Sequence, residues 1–578
     1  AVFRAVDTML QSVITSDGAL HGKIDEAVSD IKNPQLRAQV ADALRCLQSG
    51  TRLSREWQTI WERQRSHFLT EDCFWICLPW VQDTDGDPRQ WLYSHYESLL
   101  PTAGGRRSAY HDYRLVADYM RHKRSADAQA GLLYQSAGSL AGRLLTAGKG
   151  LRYFEQSAEP GHKCSLCGTR QALTLGSAES SAHELLLRRL WKVIRRLEPK
   201  SATEALRFAG NIRSGEHLCA VCLVKRLAYS AYFGREIMGD DTAQPVFPSI
   251  SSIACASCKQ GIITAAATEP ELMQSVDKFI TVVGGFLKRW RIYRPSAPLP
   301  FLARLVQAHP VAGEQHMLTS FLAIDGSWLY EESYEPKTII ADNDLTFSSP
   351  EKQAAFAAEC LLAADALSEL LQAVKRFNSN ADNTRHIALP SKYYAVMYMD
   401  GDKMSEWVQG RNNPLMNHLL HPSAQLPPDI GLLMRPMDPV CHSSISKALK
   451  NFSQTVVPAM IEEHHAAKLV YAGGDDVMAL VPLQDCLELI REVRLAFTGE
   501  DKPDGSPGWR LLGGAQLLMM DAVAPGQGLA GEAKHGKASA STGVVIAHHS
   551  QPLMQVLSHA ADVLKKQAKA AYGRDAFA

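Results

Sequence analysis

Two stretches in the last third of the chain decide the fold: Tyr393-Tyr-Ala-Val-Met-Tyr-Met-Asp400-Gly-Asp402 and Lys468-Leu-Val-Tyr-Ala-Gly-Gly-Asp-Asp476-Val-Met-Ala-Leu-Val481. The first begins with seven apolar or aromatic residues, a run that predicts a central strand buried on both faces. The second predicts a strand, a tight turn and a strand, since two glycines allow the positive φ angles of a hairpin turn. With a helix predicted over 442–465, a strand over 541–549 and a helix from Pro552, this order predicts a palm-like domain.

The predicted palm brings carboxylates to one edge of its sheet. Asp400 ends the first strand, and Asp475 and Asp476 lie in the hairpin turn. Carboxylates in such positions suit two Mg²⁺ or Mn²⁺ ions, which together stabilise the attacking and leaving oxygens of an in-line displacement. We therefore predict that these three aspartates are catalytic metal ligands that act on ATP. An ordinary Gly-Asp hairpin that holds no ligand is the alternative.

Further residues near these aspartates are candidates for nucleotide binding. Gly401, Gly473 and Gly474 allow the backbone to approach a triphosphate closely. Asp402 either binds the cofactor or simply faces solvent. Lys569, on the last predicted helix, either directs its charge at a triphosphate or belongs to a solvated helix face.

The cysteines predict a second metal site. Six of the 12 cysteines form three Cys-x-x-Cys pairs: Cys164/Cys167, Cys219/Cys222 and Cys255/Cys258. The first two pairs supply four thiolates, the set that holds a structural Zn²⁺ in a tetrahedron. The third pair lies in an Ala/Ser-rich helical segment, and its metal binding stays open. Buried cysteines without a metal are the alternative for every pair.

The bulk composition limits the partners and the compartment. The 61 basic residues balance 61 acidic ones, so the whole chain has no net attraction for RNA or for acidic membranes. No apolar run reaches the roughly 18 residues of a membrane span. Paired cysteines without an export signal indicate a reducing compartment, and we expect a cytoplasmic protein.

A set of motifs in fixed order resembles the large polymerase/cyclase subunit of type III CRISPR–Cas effector complexes, in its Cmr (type III-B) form. Asp-Gly-Asp and Gly-Gly-Asp-Asp are its diagnostic members. The ordered set covers nearly the whole chain: Trp-Ile-Cys-Leu-Pro-Trp (75–80), Lys-Gly-Leu-Arg-Tyr-Phe-Glu-Gln (149–156), Lys-Cys-Ser-Leu-Cys-Gly (163–168), Leu-Cys-Ala-Val-Cys-Leu-Val-Lys-Arg (218–226), Phe-Pro-Ser-Ile-Ser-Ser-Ile-Ala (247–254), Tyr-Met-Asp-Gly-Asp-Lys-Met (398–404), Tyr-Ala-Gly-Gly-Asp-Asp (471–476) and Ser-Thr-Gly-Val-Val-Ile-Ala-His-His (541–549).

The resemblance implies an α+β fold with two palm domains of the ferredoxin-like, nucleotidyl-cyclase-like type. The expected order is a helical segment over 1–70, a first palm-like domain over 71–290 with a zinc knuckle inserted at 164–222, a helical linker domain over 291–385 and the second palm over 386–578. The family usually continues into a C-terminal helical domain, whereas this sequence stops in the palm. We therefore expect that it represents a fragment.

The resemblance also implies a function. The chain is expected to join a guide-RNA-loaded complex with other Cmr-type subunits and, on binding target RNA, to convert ATP into cyclic oligoadenylate. Ser249 is implied to help hold a nucleotide from the opposite palm. Many members carry an N-terminal HD nuclease domain that cuts single-stranded DNA. We find none in this sequence, and we expect no DNA cleavage by this chain.

Two other functions compete with this interpretation. A structural scaffold of a ribonucleoprotein, with a vestigial palm, is disfavoured because a decayed site should lose its acidic residues early. A diguanylate-cyclase-like enzyme is disfavoured because its hairpin normally ends in Asp/Glu-Glu-Phe, whereas Val477 follows Asp476 here.

Overall fold

A computed structural model describes most of the chain outside a few long segments. The described residues are 1–49, 54–66, 74–77, 134–151, 159–177, 179–197, 212–239, 247–266, 268–292, 297–309, 312–343, 345–380, 386–410, 413, 415–419, 426–435, 437–499 and 538–578. Much of the predicted first palm-like domain lies outside these residues, as does the Leu-Pro-Trp part of the motif at 75–80.

Helices form the described part of the chain up to residue 239. They are α1 (Val2–Ser16), α2 (Leu20–Val28), α3 (Pro34–Arg45), α4 (Arg55–Ser66), α5 (Tyr134–Gly150), α6 (His183–Arg195) and α7 (Ala220–Ala228), which continues as a π-helix over Tyr229–Ile237. Helix α3 begins where the Asn33 side chain accepts hydrogen bonds from the backbone N–H groups of Gln35 and Leu36, a regular N-cap.

One hydrophobic core joins the N-terminal helices to the cysteine segment. It contains Leu10 of α1, Trp57 of α4, Leu190 of α6 and the side chains of Cys164 and Cys219. The helical segment predicted over 1–70 therefore packs directly against the predicted zinc knuckle.

A second group of helices follows and is described from residue 247 to residue 380. They are α8 (Ile250–Ala254), α9 (Ala256–Ala266), α10 (Pro270–Phe279), which continues through Ile280–Gly284 into α11 (Gly285–Arg289), α12 (Pro300–Gln307), α13 (Ala312–Ala323), two 3₁₀ turns (Gly326–Leu329 and Glu331–Tyr334), α14 (Pro336–Asn343) and α15 (Pro350–Asn380). Long helix α15 reaches almost to the end of the helical linker domain predicted over 291–385, and residues 381–385 lie outside the described residues.

The C-terminal part contains a four-stranded antiparallel sheet. Its strands are β1 (Tyr393–Gly401), β2 (Lys468–Gly473), β3 (Asp476–Pro482) and β4 (Ala540–His548), in the order β2-β3-β1-β4. The helices of this part are α16 (Met404–Val408), α17 (Met416–Leu419), α18 (Pro428–Gly431), α19 (Pro439–Asn451), which continues as π-helical segments over Phe452–Val456 and Ala459–His464, α20 (Cys486–Thr498) and α21 (Leu553–Asp562), which continues over Val563–Ala571. The strands, the hairpin and the helices predicted over 442–465 and from Pro552 are confirmed.

The sheet is covered on both faces, as the apolar run of β1 predicts. Met397 and Met399 point into a core shared with α20 and the helix that follows α19. Tyr394 and Val396 point to the opposite face and join the core of the preceding helices α8 to α15. Strand β1 is therefore the buried centre of the palm, and Asp400 near its end is half-buried.

A glycine fixes how closely the last helix approaches the sheet. A Cβ atom on Gly543 of β4 would lie 2.5 Å from the backbone nitrogen of Leu564 and 2.6 Å from the carbonyl oxygen of Ala560. Both atoms belong to the backbone, so neither can move aside without displacing the helix.

We predict that Gly543→Ala lowers the free energy of unfolding by about 1–3 kcal/mol, the cost of overpacking a filled interior. Urea denaturation followed by circular dichroism would measure the change. Gly148→Ala is the matched control, because a Cβ on Gly148 of α5 meets nothing within 4 Å and alanine favours helix. Equal unfolding midpoints for wild type and Gly543→Ala would contradict the prediction.

No helix among the described residues is both long and apolar enough to cross a membrane.

Candidate functional site

The three predicted metal ligands lie together at one edge of the sheet. Met399 of β1 pairs with Val477 of β3, so Asp400, the next residue along β1, reaches the level of Asp476, the first residue of β3, and of Asp475 in the β2–β3 turn. The sequence prediction that both hairpin aspartates lie in the turn is therefore wrong for Asp476, which pairs with Gly473. One carboxylate oxygen from each aspartate lies within 4.8 Å of the others. The sequence prediction that this fold gathers three carboxylates is therefore met by the geometry.

Two glycines make this close approach possible. Gly474, in the turn, has a φ of +76°, which glycine adopts without strain. A Cβ on Gly401 would lie 2.9 Å from the Cβ of Asp475 and 2.8 Å from the Cγ of Met404. The absence of a side chain on the residue after Asp400 therefore makes room for the neighbouring Asp475.

Burial and mutual repulsion make the carboxylates hold their protons more tightly. Burial raises the pKa of Asp475, and the charge of Asp400 raises it further. The same causes, burial first and the contact with Asp400 next, raise the pKa of Asp476 to about 6. Lys569 lowers both pKa values, but it does not offset the raising causes. A site that concentrates negative charge in this way favours binding of divalent cations.

Lys569 lies inside the site. Its ammonium group donates to the carboxylate of Asp400 and to the backbone oxygen of Gly401, the latter at 3.1 Å. Its side chain is largely shielded from solvent, so the alternative of a solvated helix face is wrong for this lysine. Among the described residues, Lys569 is the basic side chain that forms an ion pair with the carboxylate cluster, through Asp400.

Asp402 occupies a different environment from the three clustered aspartates. Its side chain is 3% exposed, which excludes the solvent-facing alternative. Its oxygens accept hydrogen bonds from the hydroxyl groups of Ser539 and Ser541, each at 2.8 Å, and from the backbone N–H of Asp575 at 2.9 Å. These bonds satisfy the carboxylate internally and tie β1 to the start of β4 and to the C-terminal residues.

The sequence interpretation missed these partners of Asp402. Ser541 opens a motif already quoted, but nothing in its spacing points to an aspartate 139 residues earlier. Asp575 is held in place by a two-pronged ion pair with Arg494, both contacts at 2.8 Å. The antiparallel pairing of β1 with β4 brings Ser541 beside Asp402, and the bridge between Thr542 and Phe577 brings the C-terminal residues there.

The raised pKa of Asp476 predicts a pH dependence of metal binding. Below pH 6 this carboxyl keeps its proton, whereas an ordinary aspartic acid, with a pKa of about 3.9, is still ionised at pH 5. A metal ion must displace the proton, so we expect the affinity for Mn²⁺ to fall by about tenfold for each pH unit below 6. Titration calorimetry at pH 5 and 7.5 would measure this, and equal affinities would contradict it.

The four predicted zinc ligands also come together. The Sγ atoms of four cysteines lie within 4.8 Å of one another: Cys164, Cys167, Cys219 and Cys222. The sulfurs of Cys167 and Cys219 are 3.9 Å apart, close to the separation of about 3.8 Å that follows from tetrahedral Zn–S bonds of about 2.3 Å.

The thiol chemistry of this cluster fits a metal ion. The hydrogen bond with Cys164 raises the pKa of Cys222 to about 12, and the same kind of bond raises the pKa of Cys219. The pKa of Cys164 is correspondingly lowered, because the neighbouring thiols donate to its sulfur. Cys219 and Cys222 therefore keep their protons when no metal ion is bound, and Zn²⁺ held by all four sulfurs would displace these protons.

The third cysteine pair lies apart. Cys255, between α8 and α9, and Cys258 of α9 are both buried, and burial raises the pKa of both thiols, that of Cys255 to about 12. Among the described residues, neither belongs to a group of three or more possible metal ligands. They are packing residues of the core that lies beneath the sheet.

Ser249 caps a helix on the face of the sheet that carries Asp400. Its hydroxyl oxygen accepts a hydrogen bond from the backbone N–H of Ser252 at 3.0 Å and so begins α8. Helix α8 contributes Ile253 and Ala254 to the core that includes Val396 of β1. The structure thus places the Ser249 segment beside the palm, and any contact with a nucleotide stays a proposal.

Comparison with known proteins gives a family match over the palm. Residues 393–506 and 526–578 match the family model "Cas10/Cmr2, second palm domain". Among curated proteins, a Cmr subunit Cmr2 from Pyrococcus furiosus is 31% identical over 196 residues, which cover 34% of this chain and 19% of that protein. A Cmr2 from Saccharolobus solfataricus is 30% identical over 128 residues, 22% of this chain and 11% of that protein. The matched region is thus about a fifth of the length of these relatives or less.

Solved structures also resemble the chain. The apo state of a type III-B Cmr-beta complex matches with a TM-score of 0.38 and 16% identity, over 77% of this chain and 47% of that one. The same complex bound to cognate target RNA matches with a TM-score of 0.39 and 15% identity, over 76% and 47%.

Proposed function

We propose that this chain, whose C-terminal part matches the Cas10/Cmr2 second palm domain and is similar to Cmr2 subunits, is the nucleotidyl-transferring subunit of a type III-B effector complex and converts ATP to cyclic oligoadenylate. The observation that carries this proposal is the meeting of Asp400, Asp475 and Asp476 within 4.8 Å at the end of a buried strand. A scaffold needs no such concentration of negative charge, which costs stability unless a ligand offsets it.

The chemistry proposed is the joining of two ATP molecules. The 3′-hydroxyl group of one attacks the α-phosphate of the other, pyrophosphate leaves, and a final step of the same kind closes a ring. Two divalent ions held by Asp400, Asp475 and Asp476 would supply charge neutralisation for both the attacking and the leaving oxygen. Gly474 leaves the backbone of the turn open, since a Cβ there would meet only the Cβ of Leu449, at 4.0 Å.

Lys569 has two positions available in this proposal. Without ligand, its ammonium group contacts Asp400. The metal ions would compete for the Asp400 carboxylate, and the triphosphate would compete for the Lys569 ammonium group. The ammonium group, a compact point charge, would then contact a phosphate oxygen. Lys569 would thereby replace an internal ion pair with a substrate contact.

The remaining features of the proposal concern the whole protein. We propose a structural Zn²⁺ on the four clustered cysteines. The first palm-like domain over 71–290 is proposed on the motif resemblance alone, since the described residues of that range form helices and an isolated bridge between Lys163 and Gln171. We further propose other Cmr-type subunits, guide RNA and target RNA as partners. The balanced charge of the chain favours RNA being held mainly by the partner subunits.

The ion pair between Lys569 and Asp400 supports a second candidate, a structural subunit whose palm is silent. In that case the lysine would permanently neutralise one of the three carboxylates. The two candidates differ in what happens when substrate and target RNA are both present.

The experiment is to incubate the assembled complex with ATP or GTP, with and without target RNA, and to identify products by mass spectrometry. Oligoadenylate formed from ATP only when target RNA is present supports the proposal. Product from GTP would instead indicate a cyclase of a different specificity. An intact complex that binds target RNA and yields no nucleotide product would support the scaffold.

A further inference from the structure

The two halves of the cysteine site are far apart in the sequence and must be held together by something other than the local chain. The sulfurs of Cys167 and Cys219 are 52 residues apart. Backbone bonds join the halves directly: the N–H of Ser165 donates to the oxygen of His217 at 2.9 Å, and the N–H of Leu173 donates to the oxygen of Leu218 at 2.9 Å. The Ser165 hydroxyl also bonds to the backbone oxygen and N–H of His217.

One side chain from the N-terminal helix α4 bonds to both halves. The Nε2 atom of Gln64 donates to the backbone oxygen of Gln171 at 2.9 Å, and its Oε1 atom accepts from the backbone N–H of Ala220 at 2.8 Å. Gln171 pairs with Lys163, the neighbour of Cys164, and Ala220 directly follows Cys219. Gln64 therefore bridges the strand beside one cysteine pair and the helix start beside the other.

The amide of Gln64 is fully used and fixed in orientation. It is 2% exposed, and its second N–H donates to Glu159 Oε2 at 3.1 Å. The same Glu159 oxygen accepts from Arg63 at 3.0 Å and from the backbone N–H of Gln171 at 2.9 Å. Because Glu159 accepts only, the Gln64 nitrogen must face it and the oxygen must face Ala220.

We propose that Gln64 is a positioning residue for the cysteine metal site. By bonding to the backbone beside both cysteine pairs, it holds the four sulfurs at the spacing that one tetrahedral ion requires. Helix α4 then supports the metal site through Gln64, although it contributes no metal ligand. This inference rests on the proposed structural Zn²⁺.

The test compares zinc release from full-length variants into excess chromogenic chelator. Gln64→Met keeps the length of the side chain but removes its three hydrogen bonds, and we expect release at least about tenfold faster, the usual scale for partners that orient a metal ligand. Gln58→Met makes the same chemical change on a partly exposed residue of α4, and we expect release as in the wild type.

A second variant decides the matter if Gln64→Met is not recovered folded. Gln64→Glu keeps an oxygen for the Ala220 N–H but loses the donor to Gln171, and we expect it to release zinc faster than the wild type. Wild-type release rates in a folded Gln64→Met, or in Gln64→Glu, would overturn the positioning role while leaving the metal site intact. Wild-type protein without zinc would overturn both.

Discussion

Replacing Asp475 and Asp476 together by alanine should reduce nucleotide product from ATP by at least about 10²–10³-fold, the scale of losing a principal stabiliser of the transition state. The two side chains supply two of the three carboxylates that meet at the sheet edge, and Asp400 alone offers too few ligands for two ions. The rate of pyrophosphate release by the reconstituted complex with target RNA would measure the loss.

The control for this experiment removes the same charge elsewhere. Asp365 and Asp429 are exposed aspartates of α15 and α18, and their double replacement by alanine should leave the rate unchanged. The Asp475/Asp476 variant should also unfold at the same or a higher temperature in metal-free buffer, because burial and repulsion disfavour both ionised carboxylates. Equal product from wild type and the Asp475/Asp476 variant would place the chemistry elsewhere.

Cys219→Ser should release the proposed zinc ion and unfold the N-terminal core. Cys219 is buried at the centre of that core, and its sulfur accepts from the backbone N–H of Cys222 at the start of α7. Zinc binding by four-ligand structural sites is worth roughly 10–16 kcal/mol, as much as the whole stability of a typical domain. Elemental analysis would count zinc per chain, and circular dichroism would follow the loss of helix.

A buried cysteine outside the cluster provides the control. Cys258→Ser changes a cysteine of the core beneath the sheet and should retain one zinc ion per chain. A single zinc ion retained by Cys219→Ser, or none in the wild type, would refute the ligand assignment.

The palm could be predicted because its signals are local. The seven apolar residues before Asp400 and the two glycines before Asp475 each specify one element. An antiparallel sheet that places β1 beside β3 then brings the three aspartates together without further information. The cysteine site was predictable for the same reason, since the ligand spacing within each pair is a local pattern.

The rest depended on contacts between distant residues. The sequence left Asp402 either as a nucleotide-binding residue or as a solvent-facing one, whereas the groups that bond to its carboxylate lie 137 to 173 residues later. Gln64 is an unremarkable residue of a polar helix in the sequence, and it becomes important only because Ala220, 156 residues away, packs beside it. Neither hydrophobic periodicity nor motif spacing carries information about such pairs.

The most direct test of the central claim is electron paramagnetic resonance of the chain with Mn²⁺ and a non-hydrolysable ATP analogue. If Asp400, Asp475 and Asp476 hold two ions on a triphosphate, the wild type should bind two Mn²⁺ that are spin-coupled across about 4 Å, and the Asp475→Ala/Asp476→Ala variant should show no coupled pair. A wild-type spectrum of isolated ions only, or a coupled pair that persists in the variant, would contradict the account.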